Sequence, residues 1–229
     1  MTSSWSTLAT TGPGPSPRHG LACTTLSTNN STHLYVFGGK AADDAAGVLY
    51  QNDLRVLCCD TLEWKEIQSR EGPWPRGRAF HSATAIDSRA FLVFGGAAAD
   101  TSARPARTTV QTQKRPSPTK STGARAGTRR SPSAATSRSA GASSTSPSDV
   151  SYMNDVWLFK GDRREWVLVV CGGKPPPPRG AHAAALVPSP PRLLVHGGCG
   201  EDQPALDDLC ALCFFILWRA RRRQTLGLH

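Results

Sequence analysis

Apolar residues along this chain fall into short runs separated by Gly, Pro, Asn and Asp. Runs of this length, rich in Val, Leu, Phe and Trp, read as strands, and no stretch sustains a 3.6-residue apolar period long enough for a helix. In the first third of the chain the runs are Leu21–Leu26, Leu34–Phe37, Leu54–Cys59 and Trp64–Ile67. The pattern predicts four strands there, joined by turns.

The same quartet recurs. Trp5 precedes Arg18, Trp64 precedes Arg78 and Trp166 precedes Arg179, at intervals that agree to within one position. Each Arg is followed by a run of small and apolar residues, then by a second apolar run ending in paired glycines. Those pairs are Gly38-Gly39, Gly95-Gly96 and Gly197-Gly198. Next come Asn52-Asp53, Asn154-Asp155 and Asp207-Asp208, each opening a third run. The tryptophan series Trp5, Trp64, Trp166 and Trp218 is nearly evenly spaced once residues 101–149 are set aside. One unit is therefore present three times and interrupted once. Four strands repeated in series are the pattern of a β-propeller blade.

The succession Arg-x-x-His, apolar run, paired Gly, Asn/Asp-Asp, apolar run and Trp resembles the kelch repeat across residues 5–100 and 150–218. The first copy departs from it by placing Leu21 where the others have His81 and His182. The resemblance implies an all-β fold, a partial kelch-type β-propeller of about three four-stranded blades. Residues 1–100 then hold the first blade and half of the second, 150–218 the rest of the second and an incomplete third, and 219–229 a basic tail. Closed propellers have about four to eight blades. Three leave apolar faces open, so the chain reads as a fragment or one part of an assembly, and self-association is expected.

Physical readings of the motifs are mostly structural. Paired glycines suit a chain that turns sharply with φ > 0 close to a neighbouring backbone. No Gly-x-Gly-x-x-Gly or Gly-x-x-x-x-Gly-Lys sequence accompanies them, which argues against a phosphate cradle. The tryptophans are expected to anchor blade against blade, in similar surroundings at Trp64 and Trp166. Arg78, Arg179, His81 and His182 recur in register, which points to structural hydrogen bonds. The Asn/Asp pairs are expected to bond nearby backbone. Cys210 and Cys213 lie three apart within a predicted strand and so face opposite ways, as do Cys58 and Cys59, which disfavours a shared zinc and suggests buried or half-buried thiols. Asp43-Asp44 is too sparse for a calcium loop. Tyr35, Tyr50 and Tyr152 have no companion ligands of the kind a copper-radical oxidase needs, and no nucleophile motif occurs. Hence no catalytic, cofactor-binding or metal-binding residue is assigned.

Charge changes the picture only locally. The 229 residues carry a net charge of +10. Residues 101–149 contribute nine Lys/Arg against one acid, and Arg219, Arg221, Arg222 and Arg223 add four more, which leaves two net negative charges on the remainder. Residues 101–149, with 20 Ser/Thr and no aromatic residue, are expected to be a disordered loop between the second and third strands of the second unit. Ser117-Pro118, Ser131-Pro132 and Ser146-Pro147 resemble proline-directed phosphorylation sites within it, and the alternative reading is a solvated spacer or sequence retained from an unspliced intron. The longest apolar run, Leu209–Trp218, is half of what a membrane helix requires. Seven cysteines without a secretory leader suggest reduced thiols and a cytoplasmic or nuclear chain.

The expected function is that of a non-catalytic protein–protein interaction scaffold that binds a protein partner through propeller loops. Alternatives are an enzyme or enzyme-associated sensor, or a ubiquitin-ligase substrate receptor whose recruiting segment is not visible in the sequence. No cofactor, small-molecule substrate or membrane partner is indicated. Nucleic acid would be met only weakly, through 101–149.

Overall fold

The computed structural model describes residues 3–28, 30–43, 47–68, 72–99 and 150–213. Every regular element among them is a strand. The first blade is a four-stranded antiparallel sheet in the order β1 (Ala22–Ser27), β2 (Thr32–Phe37), β5 (Leu54–Cys58), β6 (Glu63–Ile67). Its strands match the four apolar runs closely at each end. The second blade follows the same plan with β7 (Ser82–Ala85), β8 (Ala90–Phe94), β11 (Val156–Lys160) and β12 (Glu165–Leu168). The third has β13 (Ala183–Pro188), β14 (Pro191–His196) and β15 (Leu209–Cys213) among the described residues.

Two short hairpins stand outside the blades. β3 (Lys40–Asp43) pairs with β4 (Gly47–Tyr50), and β9 (Ala97–Ala99) with β10 (Val150–Tyr152). Residues 40–47 read as a loop in the sequence, because Ala-rich and Asp-rich chain has low strand propensity. Pairing with each other, anchored by the bridge between His19 and Lys40, overrides that propensity. Ala99 lies opposite Val150, so the 100–149 segment leaves and re-enters the fold at one hairpin tip, between the second and third strands of the second blade. That segment, its Ser-Pro sites, and Trp218 with the basic tail lie outside the described residues.

The first strands β1, β7 and β13 pack in succession along the inner edge, and the Trp-bearing strands β6 and β12 are outermost. The core lies in the seams between blades. Phe37, Leu54, Val56 and Ile67 from the first blade meet Phe91, Phe159 and Trp166 from the second. The next seam joins Phe94, Val156 and Leu158 to Leu193 and Val195. Each apolar side chain fully buried there contributes about 1.5–3 kcal/mol.

Trp64 and Trp166 occupy the same register, opposite Leu57 and Phe159 respectively, but not the same surroundings. Trp166 is 2% exposed, with ring centroids 5.0 Å from both Phe37 and Phe159. Trp64 is half-buried, with Gly14 against its indole where Trp74 meets Trp166. The fourth-strand Trp faces the preceding blade, and the first blade has none among the described residues. Trp5 belongs to no strand and is fully exposed. At the other end, Leu209 is 65% exposed, although Leu54 and Val156 at its register are buried. Among the described residues, both ends of the array are thus open apolar edges. All seven cysteines are unpaired, but Cys23, Cys59 and Cys213 are exposed rather than half-buried, Cys59 because it lies in the turn after β5. No described helix is long and apolar enough to cross a membrane.

Candidate interaction surface

One face of the array gathers the starts of the first and third strands, the ends of the second, and the two hairpins. The repeated motif residues build its floor. Arg78 is fully buried. Its guanidinium donates to both carboxylate oxygens of Asp155, at 2.7 and 2.8 Å, and to the carbonyl of Gly95 at 2.9 Å. Arg179 repeats this with Asp208, at 2.6 and 2.7 Å, and with Gly197 O at 3.0 Å. Arg18 does the same with Asp53 and Gly38 O. Each clamp ties the entrances of a blade's first and third strands to the exit of its second. Local spacing assigns these aspartates to nearby backbone, and the structure corrects that reading. They pair with arginines 35, 77 and 29 residues away, which only the folded blade brings into reach.

The clamps set the carboxyl groups' acidity. Burial opposes ionisation of Asp53 and Asp155, but Arg18 with Arg55, and Arg78 with Trp157, outweigh it and hold both below the usual carboxylate range. The Arg179 hydrogen bond takes Asp208 down to about 2.

The paired glycines seam adjacent blades. The N–H of Gly39 donates to Arg78 O, and that of Gly96 to Arg179 O, both at 2.8 Å. Gly95 has φ +64°, and a Cβ there would lie 2.8 Å from Arg179 O. Two residues after each Arg, Gly20, Phe80 and Ala181 all adopt positive φ, and their backbones chain together, Ala181 N–H to Phe80 O and Phe80 N–H to Gly20 O. His81 packs edge-on against Phe37 of the preceding blade, and His182 against Phe94. Burial first, then the nearby Arg78 charge, pushes His81 down to about 3. Burial and Arg179 push His182 down to about 4, while its Nε2 sits 2.9 Å from Ser82 Oγ. Both histidines are therefore neutral wedges in the seams. Their recurrence is visible in the sequence, but not their reach across to the neighbouring blade.

Above this floor the segment after each glycine pair differs in length. It runs from Lys40 to Tyr50 in the first blade and from Ala97 to Tyr152 in the second. In the third it is a tight turn from Cys199, where Gly200 N–H donates to Gln203 O. All three start with a bridge to the stretch just after the Arg: His19 to Lys40, Ala79 to Ala97, and Gly180 to Cys199. Lys40 Nζ sits 5.1 Å over the Phe80 ring. The Tyr152 hydroxyl lies 3.6 Å from Cys199 Sγ, and this contact, with burial, raises it to about 12. Tyr35 is elsewhere, packed on Phe91 and Phe159 beside an open groove of about 420 Å³ that reaches the opposite face. No three metal-ligating side chains converge among the described residues.

The repeating clamps, glycine seams and fourth-strand Trp give the units one common construction. The KLHDC2/KLHL20/DRC7 Kelch-repeats domain model matches residues 1–142. This chain belongs to the kelch-repeat family. Its kelch units are similar to Kelch domain-containing protein 2 of Bos taurus, 40% identical over 96 residues, covering 42% of this chain and 21% of that protein. They are also similar to acyl-CoA-binding domain-containing protein 5 of Arabidopsis thaliana, 39% identical over 93 residues, with 41% and 13% coverage. The dynein alpha chain of the flagellar outer arm of Chlamydomonas reinhardtii matches 92% of this chain, at 26% identity, but only 3% of its own length. The chain thus spans less than a quarter of these curated relatives. Among solved structures, that titled "Structure of YjhT" shares the fold, with a TM-score of 0.50 at 16% identity, covering 89% of this chain and 46% of that one.

Proposed function

We propose that this kelch array is a non-catalytic scaffold that holds a protein partner on its hairpin face. The observation that carries the reading is the contrast between floor and loops. The Arg–Asp clamps keep the same geometry in all three blades, while the segment above each varies from a tight turn to a hairpin interrupted by residues 100–149. A rigid scaffold presenting variable loops on one face is a common arrangement for recognition. Exposed Ala42 and Leu49 on the first hairpin offer contact area that the core does not use. The relatives' differing names favour the same reading, since stretches similar to this chain stand in proteins named for quite different activities. Seven unpaired cysteines fit a cytoplasmic or nuclear location.

Affinity capture with the intact chain tests this, followed by a variant with Lys40→Glu and Leu49→Asp. The partner is expected at defined stoichiometry with the parent chain and absent with the variant, while far-ultraviolet circular dichroism stays unchanged. Capture that survives both substitutions and also survives excision of 100–149 rejects the hairpin face. The basic charge of 101–149 predicts that any part of binding lost on its excision is also weakened by salt.

A further inference from the structure

The seam between the second and third blades contains a cavity of about 220 Å³. Its walls include Phe94, Leu193, Leu212 and Pro175. The corresponding positions one seam earlier are Phe37, Phe91, Phe159 and Trp74. Those four side chains surround Trp166, with ring centroids between 5.0 and 6.0 Å from it. The cavity is therefore the socket for the fourth-strand Trp of the third blade, with no described residue in it.

The chain's own Trp218 departs from the sequence spacing of the other fourth-strand tryptophans. Trp64 follows Cys58 by six positions, and Trp166 follows Lys160 by six. Cys213 stands at the same strand position, and Trp218 follows it by five. The connection leading to Trp218 is thus one residue shorter than in either sister blade. The polar turn residues seen at Asp60-Thr61 and Asp162-Arg163 are replaced there by Phe214-Phe215-Ile216-Leu217.

Trp5 has the right register. It precedes Arg18 by the same interval as Trp166 precedes Arg179, so Trp5–Leu8 is spaced as the fourth strand of a blade that precedes the first. It is fully exposed, and Leu8 is 61% exposed. It does not reach the socket within its own chain. Thr11 is fixed to the first blade by its N–H to Leu62 O and by Trp64 N–H to its carbonyl. The stretch from Trp5 to Thr11 extends at most about 20 Å. That is about the two sheet spacings separating the first blade from the third, before the outermost strand position is reached.

We propose that two copies of this chain close a six-bladed ring, each donating Trp5–Leu8 as the fourth strand of the other's third blade, with the Trp5 indole seated among Phe94, Leu193, Leu212 and Pro175. By the pairing of β11 with β12, Trp5 lies opposite Leu212 and Leu8 opposite Leu209. The first blade of one copy then follows the third blade of the other. That contact covers Leu209, left exposed in the monomer, and supplies the half-buried Trp64 with the preceding blade it lacks. Each of the two contacts joins the third blade of one copy to the first blade of the other, and a two-fold rotation relates the two contacts and closes the ring. Six blades fall within the range of about four to eight that closed propellers adopt.

Sedimentation equilibrium of the full chain tests the proposal at micromolar concentrations. The expected species has twice the 24.4 kDa chain mass. Trp5→Ala is expected to raise the dimer dissociation constant at least about thirty-fold, as for a buried tryptophan anchor. Its circular dichroism stays unchanged, because Trp5 is fully exposed in the monomer. Trp218→Ala is expected to leave the dimer intact. A monomeric parent chain, a dimer indifferent to Trp5→Ala, dissociation by Trp218→Ala alone, or open polymers growing with concentration would each overturn it.

Discussion

Arg78→Ala tests the clamp that organises each blade. Arg78 is fully buried, while the side chain of its partner Asp155 is 31% exposed. Truncation removes two charge-assisted hydrogen bonds to that carboxylate and one to the Gly95 carbonyl. It leaves the Trp157 indole N–H, at 2.6 Å, as the side-chain donor to Asp155. Breaking a buried pair by deleting one partner costs about 3–5 kcal/mol. The partial exposure of Asp155 places the expected loss at the low end, about 3 kcal/mol. The sister clamps provide internal controls. Asp53 keeps Arg55, 2.9 Å away, after Arg18→Ala, and Asp208 is 38% exposed when Arg179 is removed. Each of those changes is expected to cost at least about 1 kcal/mol less than Arg78→Ala. Equilibrium urea unfolding, followed by tryptophan fluorescence and by circular dichroism, measures all three. A double-mutant cycle with Asp155→Ala isolates the pair, with an expected coupling of at least about 1.5 kcal/mol. A loss below about 1 kcal/mol for Arg78→Ala, or a coupling near zero, refutes the view that these pairs hold the strand entrances together.

Trp166→Ala is expected to cost about 3–5 kcal/mol and Trp64→Ala distinctly less in the monomer, since only the former fills a closed seam; equal losses in urea unfolding would contradict the open first edge. Gly95→Ala combines positive φ with a 2.8 Å approach to Arg179 O and should cost about 2 kcal/mol or more, whereas Gly47→Ala, at φ +82° with open space around it, should cost about 1 kcal/mol. Acidification supplies a further check. His81 and His182 are held neutral in the fold, at about 3 and about 4, against 6.5 when unfolded, so the unfolded chain binds more protons in between. Stability is therefore complete above pH 6.5 and falls on acidification toward pH 4, by about 1.4 kcal/mol per pH unit for each histidine. His81→Leu, which installs the residue type found at position 21 of the first blade, should halve that slope; an unchanged slope would assign the acid sensitivity elsewhere.

The strands and their repetition in quartets are legible in the sequence because both depend on local pattern. A run such as Phe91–Phe94 is bounded by turn residues wherever it ends up, and the near-constant spacing from Trp to Arg survives insertion of the 101–149 segment elsewhere. The paired glycines are legible for the same reason, since tolerance of positive φ is a property of the residue itself. What the aspartates bind is not legible. Asp155 reaches the distant Arg78 because β7, β8 and β11 become neighbours in one sheet, and spacing alone gives no distance between strands. Nor does the sequence say that His81 wedges against Phe37 of the previous blade, or that β3 and β4 pair despite weak propensity. The different fates of Trp64 and Trp166 make the same distinction. Composition and register make them equivalent, and only the presence of a packed neighbour on one side buries one and leaves the other half in water.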